Sequence, residues 1–338
     1  MPVQYRGIVG LKKRQEKVYK PPTRAKTMKK ISIGSPKKEP VASVVLCVYN
    51  EENYLDDSLL SLKEQSFTDF EVVVVDDGST DKTLDVANKY DVRIVQQKHD
   101  GLGAARNNGV KNAKGKIVLF LDADMTFDKN YIKQLIKPIQ ENKTSGTTHG
   151  KEHANNLQNP WARCWGRVRI DPSISTRTPK NYRAIKRSAF LKSKGFDSSW
   201  GYADDQSLTA QVGPALIVND AQCYHQNPSS LQETYLQARW IGGSTNKKYV
   251  KLLLTLFSIG IIFGITSWIM GLAATAVRYG LILSGIMFIV FVIFMTQKTI
   301  RREKDWGLLF IYPGFLCVRV IATLHGILRQ LGKKSHLQ

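Results

Sequence analysis

The sequence predicts an α/β protein with a mostly parallel, doubly wound sheet, followed by C-terminal transmembrane helices. Residues 41–150 alternate between apolar runs of strand length and stretches whose apolar residues have helical spacing. Such alternation is typical of a parallel sheet with crossover helices. Nearer the C-terminus, residues 252–277 and 280–297 contain no charged side chain. A membrane-spanning helix needs ~20 largely apolar residues, so these two runs predict two spans.

The predicted strands and helices of residues 41–150 follow one another in a regular order. The apolar run in ASVVLCVYN predicts the first strand, and the valines of FEVVVV predict a second that is buried on both faces. The remaining strands are predicted in VRIVQQ and KIVLFL. Helices are predicted in EENYLDDSLLSLKEQ, DKTLDVANKY, GLGAARNNGVKNA and KNYIKQLIKPIQE. Residues 151–245 are less regular, with a helix after GYADD and a strand in ALIVND.

Positive charge is concentrated at the N-terminus of the chain. The 338 residues carry a formal net charge of +21, and residues 1–40 contain twelve Lys or Arg against two Glu. This segment has too few apolar side chains to form a core, so we expect a basic, disordered cytoplasmic arm. It lacks the apolar segment of a signal peptide. The four cysteines lie far apart, in no metal-binding spacing, and suit a reducing compartment.

Residues 249–338 are predicted to form a multi-pass membrane region. The two spans would be joined by a short turn around Arg278. A third apolar stretch, residues 307–328, is interrupted by a proline and by polar side chains, and suits an interfacial, re-entrant or third helix. The positive-inside rule places the basic arm, the main domain and the tail in the cytoplasm. The alternative is that the two apolar runs are core helices of a soluble domain.

Acidic side chains follow two of the predicted strands. Asp76 and Asp77 come directly after FEVVVV, and Asp122 and Asp124 follow KIVLFL. Ligands of open α/β sheets bind at the carboxyl ends of the strands. In DAD the alternating pleat points Asp122 and Asp124 the same way and Ala123 the other way. Because Mg²⁺ and Mn²⁺ prefer hard oxygen ligands, the pair predicts a metal site, and a solvated loop is the alternative for an Asp-x-Asp alone.

Four segments in a fixed order carry a family resemblance. The chain resembles the family 2 glycosyltransferases, which have the GT-A fold, in VVLCVYNEENYLDDSLLSLKEQ, FEVVVVDDGSTDKT, GLGAARNNGVKNAKG and IVLFLDADMTF. The resemblance covers roughly residues 41–245. It implies a nucleotide-sugar-binding half at residues 41–150 and an acceptor-binding half at residues 151–248. The strand pattern alone indicates only a sheet suited to nucleotides.

The resemblance implies donor-binding roles in the first half. The acidic pair after the second strand would contact the nucleoside, Asp77 first and Asp76 second. Gly78 and Ser79 would form the turn and cap the next helix. The other implied donor-site residues are Tyr49, Asn50 and Glu51 in the same pocket, Arg106 at the base or diphosphate, Asp122 at the ribose and metal, and Asp124 at the metal.

Two further features of the second half match the family, and a third site residue lies in LQARW. GYADDQSL corresponds to an acidic motif whose second acid, here Asp205, would be the general base beside Asp204, although either could instead cap a helix. His225 in CYHQNP would join the metal shell, and a surface or satisfied histidine is the alternative. Arg239 in LQARW would contact the diphosphate, or place positive charge near a membrane.

Together these features predict an inverting glycosyltransferase that uses Mg²⁺ or Mn²⁺. It would move a sugar from a nucleoside-diphosphate sugar to a membrane-associated, lipid-linked acceptor at the cytoplasmic face. A processive polysaccharide synthase subunit is one alternative, because LQARW resembles part of the Gln-Gln/Arg-x-Arg-Trp motif of those enzymes, with Leu236 in place of the first Gln. A non-catalytic basic membrane protein that binds nucleic acid or anionic lipid is the other. We expect no nucleic acid partner, since base-stacking aromatics are not clustered in the arm.

Overall fold

The structure of the protein is a computed structural model. It describes residues 30–166, 168–170, 181–198, 200, 204–243, 289–290, 292–297, 299–300 and 305–335. Within these residues the chain divides into two compact units. The first comprises residues 30–149, 181–198 and 204–221, and the second comprises the remaining described residues. The predicted span at 252–277 and residues 1–29 of the predicted arm lie outside the described residues.

The elements alternate along the first part of the chain in the predicted order. The strands are β1 (Ile31–Ser32), β2 (Ala42–Val48), β3 (Phe70–Asp76), β4 (Tyr90–Asp91), β5 (Arg93–Gln96), β6 (Ile117–Asp122), β7 (Met125–Phe127), β8 (Gly146–Ala154), β9 (Val168–Ile170), β10 (Ala184–Lys186) and β11 (Leu216–His225). The helices are α1 (Leu55–Lys63), α2 (Thr83–Ala87), α3 (Leu102–Asn112), α4 (Tyr131–Gln140), α5 (Pro160–Cys164), α6 (Arg187–Lys192), α7 (Asp204–Val212), α8 (Leu231–Gly243) and α9 (Leu308–Ser335).

The main sheet has a parallel core. Its strands lie in the order β5-β3-β2-β6-β10-β8-β11-β7, and the last residues of β8 and β11 belong to the second unit. β2 pairs in parallel with β3 and with β6, and β3 pairs in parallel with β5. β10 runs antiparallel to β6 and to β8. The predicted α/β fold with a parallel core is therefore confirmed, whereas the sequence pattern does not predict the antiparallel strand β10.

The parallel core is apolar on both faces of the central strands. Val73, Val74 and Val75 in β3 are fully buried, as expected for a strand that is covered on both sides. On one face, α3 packs closely against β2. A Cβ placed on Gly109 of α3 would lie 2.3 Å from Cγ1 of Val45, so the helix can approach the sheet this closely only with glycine at that position.

Residues 30–40 differ from the expectation of a disordered arm. Ile31–Ser32 pair in parallel with Tyr90–Asp91, forming a separate two-stranded sheet. Ile33 is buried, and the backbone N–H of Ser35 donates to the carbonyl of Thr68 at 2.7 Å. The prediction of disorder up to residue 40 is wrong for these residues, because a short apolar segment finds backbone partners on the first unit. The helix predicted in DKTLDVANKY ends at Ala87, before Tyr90 and Asp91, the residues that pair with β1.

In the second unit, α5 and α8 pack against the long helix α9. A cluster of buried side chains joins Cys164 of α5 to Leu308, Tyr312 and Phe315 of α9. A Cβ on Gly242 of α8 would lie 2.3 Å from the carbonyl oxygen of Thr323, so the backbones of α8 and α9 are in close contact there.

Helix α9 covers the third apolar stretch of the sequence. It continues through Pro313 without interruption, so the structure has one continuous helix where a re-entrant segment was one of the expected forms. Its segment Leu308–Arg329 is the one helix among the described residues that is long and apolar enough to cross a membrane. The predicted span at 280–297 is described only from residue 289, and its described residues are helical.

Candidate active site

The carboxyl ends of β2, β3 and β6 bring together the acidic residues that the sequence singles out. Asp76 is the last residue of β3 and Asp122 the last of β6, and both strands are direct neighbours of β2. Asp122 and Asp124 are half-buried whereas Ala123 between them is buried. Asp124 lies in the turn between β6 and β7, so the strand alternation expected for the pair ends at Asp122.

Asp77 is buried, and its carboxylate fixes the loop that follows β5. Its Oδ1 accepts hydrogen bonds from Nε2 of Gln97 at 2.8 Å and from the backbone N–H of Asp100 at 2.9 Å. Its Oδ2 accepts from the backbone N–H of Gly101 at 2.9 Å and lies 2.8 Å from Nδ1 of His99. A nucleoside contact by Asp77 stays a prediction, and the structure adds a role in holding the β5–α3 loop.

The turn after β3 is as predicted, but the helix cap is not. Gly78 has a φ of +82°, a conformation that favours glycine, and the backbone N–H of Ser79 donates to Oδ1 of Asp76 at 3.0 Å. The prediction that Ser79 caps the next helix is wrong, because α2 begins only at Thr83. The carboxylate of Asp81 accepts the backbone N–H of Thr83 at 3.0 Å instead.

Asn50 and Glu51, two predicted pocket residues, lock the loop after β2 to the loop after β3. The backbone N–H of Asn50 donates to Oγ of Ser79 at 3.0 Å, and Oδ1 of Asn50 accepts the backbone N–H of Thr80 at 2.8 Å. The backbone N–H of Glu51 donates to Oγ1 of Thr83 at 2.7 Å. Asn50 has a φ of +59°, a left-handed conformation that asparagine tolerates better than most residues.

Tyr49 presents its ring beside these loops. It stacks on the imidazole of His99, with ring centroids 4.2 Å apart and an angle of 29° between the planes. His99 in turn contacts the carboxylate of Asp77. The pair forms a flat aromatic surface next to the acidic strand end, which is a feature that suits a nucleobase.

Arg106 joins the two acidic motifs of the first unit. Its buried guanidinium donates to Oδ1 of Asp204 at 3.0 Å and to Oδ1 of Asp122 at 3.1 Å. A second buried arginine, Arg183, donates to Oδ2 of Asp122 at 2.7 Å. Both oxygens of Asp122 therefore accept hydrogen bonds from guanidinium groups. The structure thus brings Arg106, Asp122 and Asp204 together as one charged cluster.

Burial changes the proton affinities in this cluster. It raises the pKa of the Asp204 carboxyl to about 6, although the Arg106 guanidinium opposes the shift. Oδ2 of Asp204 is buried and has no hydrogen-bond partner among the described residues. Burial also raises the pKa of Asp205. For Arg106, burial disfavours the charged form, but the carboxylates of Asp204 and Asp122 outweigh it and raise the pKa.

The cluster fits a divalent cation. Asp122 and Asp124, two residues apart at the end of β6, offer hard oxygen ligands, and a carboxylate that already accepts two hydrogen bonds still has lone pairs to offer. When ionised, the two acidic motifs carry four negative charges and the two guanidinium groups carry two positive charges, which leaves an excess of two negative charges (4 − 2). The acids are Asp122, Asp124, Asp204 and Asp205, and the guanidinium groups are those of Arg106 and Arg183. A divalent cation would neutralise that excess.

Two predicted site residues, His225 and Arg239, belong to the second unit. Nδ1 of His225 lies 2.7 Å from Oε1 of Glu152, and both side chains are buried. If His225 binds a metal, this contact makes Nε2 its ligand atom, as is usual for metal-binding histidines. Arg239 lies over the ring of Tyr235, 5.6 Å from its centroid. A cation–π contact holds its side chain there.

The sequence reasoning missed His99, Arg183 and Glu152. The signal for His99 was its position two residues before Gly101, which caps α3, in the loop that returns to Asp77. Arg183 and Glu152 had no such signal, because Arg183 directly precedes β10 and Glu152 lies in β8, and the sequence pattern does not predict the antiparallel pairing of these two strands.

Comparison with known proteins finds a family match for the segment that holds most of this cluster. Residues 43–200, just under half of the chain, match the family model described as Glycosyl transferase family 2. Asp76, Asp77, Arg106, Asp122 and Arg183 all lie within the match, whereas Asp204 and Asp205 lie a few residues beyond it.

Relatives of the family 2 domain carry glycosyltransferase names. The chain is 40% identical over 104 residues to the glycosyltransferase GlyA of Streptococcus pneumoniae, covering 29% of this chain and 15% of that protein. It is 40% identical over 107 residues to the poly(ribitol-phosphate) β-N-acetylglucosaminyltransferase TarS of Staphylococcus aureus, covering 29% of this chain and 19% of that protein. The chain therefore spans less than a fifth of the length of these relatives.

A solved structure shares the fold over most of the chain. The mannosyltransferase PcManGT from Pyrobaculum calidifontis, in complex with GDP-Man and Mn²⁺, aligns with a TM-score of 0.50 and 16% identity. The alignment covers 86% of this chain and 89% of that one. At this identity the likeness concerns the fold, and it agrees with the GT-A fold that the sequence predicts.

Proposed function

We propose that the protein is a glycosyltransferase that moves a sugar from a nucleoside-diphosphate sugar to an acceptor hydroxyl. One observation carries the proposal: the buried guanidinium of Arg106 links Asp122, which ends a parallel strand inside the family 2 match, to Asp204 of α7. Sugar nucleotides carry a base, a ribose and a diphosphate. The cluster and the adjoining aromatic surface offer a suitable group for each of these parts.

The proposed nucleoside subsite is formed by the loops after β2, β3 and β5. The stacked rings of Tyr49 and His99 would support the base, and the Asp76–Asp77 pair would contact the nucleoside. The name of the relative TarS describes an N-acetylglucosaminyltransferase, so UDP-GlcNAc is the first donor to test.

The diphosphate would be bound at the end of β6. Asp122 and Asp124 would hold Mg²⁺ or Mn²⁺, and the metal would supply Lewis-acid neutralisation of the leaving diphosphate. Arg106 would keep Asp122 oriented toward the metal side. The metal-ligand role of His225 and the diphosphate contact of Arg239 stay predictions for the second unit.

Asp205 is proposed as the general base of an inverting transfer. In such a reaction a carboxylate faces the sugar from the side opposite the leaving nucleotide and takes the proton of the attacking hydroxyl. Asp204 is tied to Arg106, whereas Asp205 is half-buried at the start of the same helix. The burial that raises the pKa of Asp205 also makes it a stronger base.

The acceptor is proposed to be membrane-associated and lipid-linked. The second unit exposes an apolar face on α9 that includes Phe310, Ile321 and Leu328. The net charge of +21 favours association with the anionic cytoplasmic leaflet. We propose that the catalytic domain faces the cytoplasm and meets its acceptor at the bilayer surface.

A thermal-shift panel of sugar nucleotides, with and without Mn²⁺, tests this function. UDP-GlcNAc with Mn²⁺ is expected to stabilise the wild type by ~3 kcal/mol at a concentration 100-fold above its dissociation constant. The same ligands should shift Asp124→Ala much less, while Lys111→Ala, an exposed change on α3, should behave as the wild type. If no sugar nucleotide shifts the wild type with any divalent metal, the proposed function is wrong.

A further inference from the structure

We propose that Arg183 is a positioning residue that makes this site favour a metal–nucleotide complex over a bare divalent cation. The inference rests on the proposed function, and Arg183 would act through Asp122 rather than by touching the substrate. Its side chain is 9% exposed and donates from NH1 to Oδ2 of Asp122 at 2.7 Å. It is a part of the site that the family motifs in this sequence do not include.

The position of Arg183 is fixed by the antiparallel strand next to β6. The backbone N–H of Phe120 donates to the carbonyl of Arg183 at 3.0 Å, and Ala184 lies opposite Leu119. NH1 of Arg183 also reaches the carbonyl of Phe120 at 3.5 Å. Backbone pairing and side-chain contact therefore hold the guanidinium beside the last residue of β6, where it has little room to move.

The two guanidinium groups beside Asp122 affect whether that carboxylate binds a bare divalent cation or a metal–nucleotide complex. Arg106 approaches one oxygen at 3.1 Å and Arg183 the other at 2.7 Å. Both guanidinium groups weaken the attraction between the carboxylates and a bare divalent cation, because they lie at short range in a site that water screens poorly. The phosphate oxygens of a metal–nucleotide complex are negative, so the same guanidinium groups attract them and offset that loss.

Both arginines contact Asp122, and each also acts on a carboxylate of α7. Arg106 divides its donors between Asp122 and Asp204. Arg183 pairs with Asp122, and its charge also acts on Asp205. Removing the charge of Arg183 should therefore change the electrostatics at Asp122 directly, while the Arg106 link still holds the carboxylate in place.

The test compares Arg183→Met with Arg183→Lys in the full-length protein by calorimetric titration. One titration uses MnCl₂ alone, and a second uses UDP at saturating MnCl₂. Arg183→Met should bind bare Mn²⁺ about tenfold more tightly than the wild type and should bind UDP no more tightly, because a repulsive charge has been removed from the cation site. Arg183→Lys keeps the charge and should stay near the wild type for bare Mn²⁺.

Lys186→Met is the matched control, since it removes a positive charge three residues further along the chain, from a side chain that contacts Asn142 instead of the cluster. It should leave both titrations unchanged. If Arg183 only orients Asp122, then Arg183→Met would weaken both bare Mn²⁺ and UDP binding by about 10–100-fold. That result, or an unchanged affinity for bare Mn²⁺, overturns the inference. If the wild type binds neither MnCl₂ nor UDP, the proposed function fails and the inference falls with it.

Discussion

Asp204 and Asp205 are adjacent at the start of α7, but their carboxylates have different surroundings. Asp204 is 2% exposed and bonded to the buried guanidinium of Arg106. Asp205 is half-buried, and its own backbone carbonyl accepts from the hydroxyl of Thr209 one turn later. Asp204 thus belongs to the cluster that links the motifs, whereas Asp205 keeps part of its surface exposed to solvent.

We expect Asp205→Asn to lose transfer activity while donor binding persists. The amide keeps the shape of the carboxylate but does not accept a proton at neutral pH, and general-base help contributes about 10²–10⁴-fold. Asp204→Asn should lose less, because the remaining amide oxygen can still accept from Arg106. Transfer rate and donor affinity, measured for both variants, check this. A dead Asp204→Asn beside a nearly normal Asp205→Asn would reverse the assignment of the base.

Asp204 also gives a pH-dependent contribution to stability. Its folded-state pKa of about 6 lies above the ordinary value of 3.8, so the folded state binds the proton more tightly than the unfolded state does. The unfolding free energy of the wild type should therefore rise relative to that of Asp204→Asn as the pH falls from 7 to 4. Denaturant unfolding of both proteins across this range measures the difference. A difference that is independent of pH would contradict the raised pKa.

At the scale of the elements, the contact between α3 and β2 holds the cluster in place, because α3 carries Arg106. We expect Gly109→Ala to destabilise the protein by about 1–3 kcal/mol, since its Cβ would lie 2.3 Å from Val45 inside a packed core. Lys111→Ala, on the exposed side of the same helix, is the control and should be nearly neutral. Chemical denaturation checks both, and equal stability of the two variants would show that the helix can shift without cost.

Helix α9 presents one apolar side to its own unit and another to the surroundings. Phe315 is buried in the cluster with Cys164, whereas Phe310 is 86% exposed. We expect Phe310→Ser to weaken binding to anionic vesicles without lowering the unfolding midpoint. Phe315→Ser should lower that midpoint, because it removes a fully buried aromatic side chain. Vesicle flotation and thermal unfolding separate the two effects, and unchanged flotation of Phe310→Ser would remove the exposed side of α9 from the membrane-binding surface.

The sequence predicted those elements whose signal is local. The valines of β3 and the acids that follow it appear together in FEVVVVDD, so both the buried strand and its acidic end could be inferred. Arg183 could not, because its partner Asp122 is 61 residues away and the contact depends on an antiparallel strand with no periodic signal of its own. The prediction of a helix cap at Ser79 was wrong for a related reason. The Ser79 hydroxyl accepts a hydrogen bond from the backbone N–H of Asn50, which lies on a different loop.

At the scale of the whole molecule, the net positive charge and the exposed apolar side of α9 both favour binding to an anionic membrane. The formal net charge is +21, and ten of the positive charges in excess come from residues 1–40, where twelve Lys or Arg face two Glu (12 − 2). We expect deletion of residues 1–29 to leave the first unit folded, because its described elements begin at Ile31. Binding to anionic vesicles should weaken, and its dependence on salt should decrease, because fewer charges interact with the leaflet. Vesicle binding that is insensitive to the deletion would contradict this role.

The most direct test of the proposed activity is transfer of radiolabelled sugar from UDP-GlcNAc, or from the sugar nucleotide that gives the largest thermal shift, into the lipid extract of membranes that contain the protein. The wild type and Lys186→Met are expected to label lipid in the presence of Mn²⁺. Asp124→Ala and Asp205→Asn are expected to label it at least about a hundredfold less. Equal labelling by the wild type and by both acidic variants would contradict the account, because the carboxylates at the end of β6 and at the start of α7 would then have no part in the transfer.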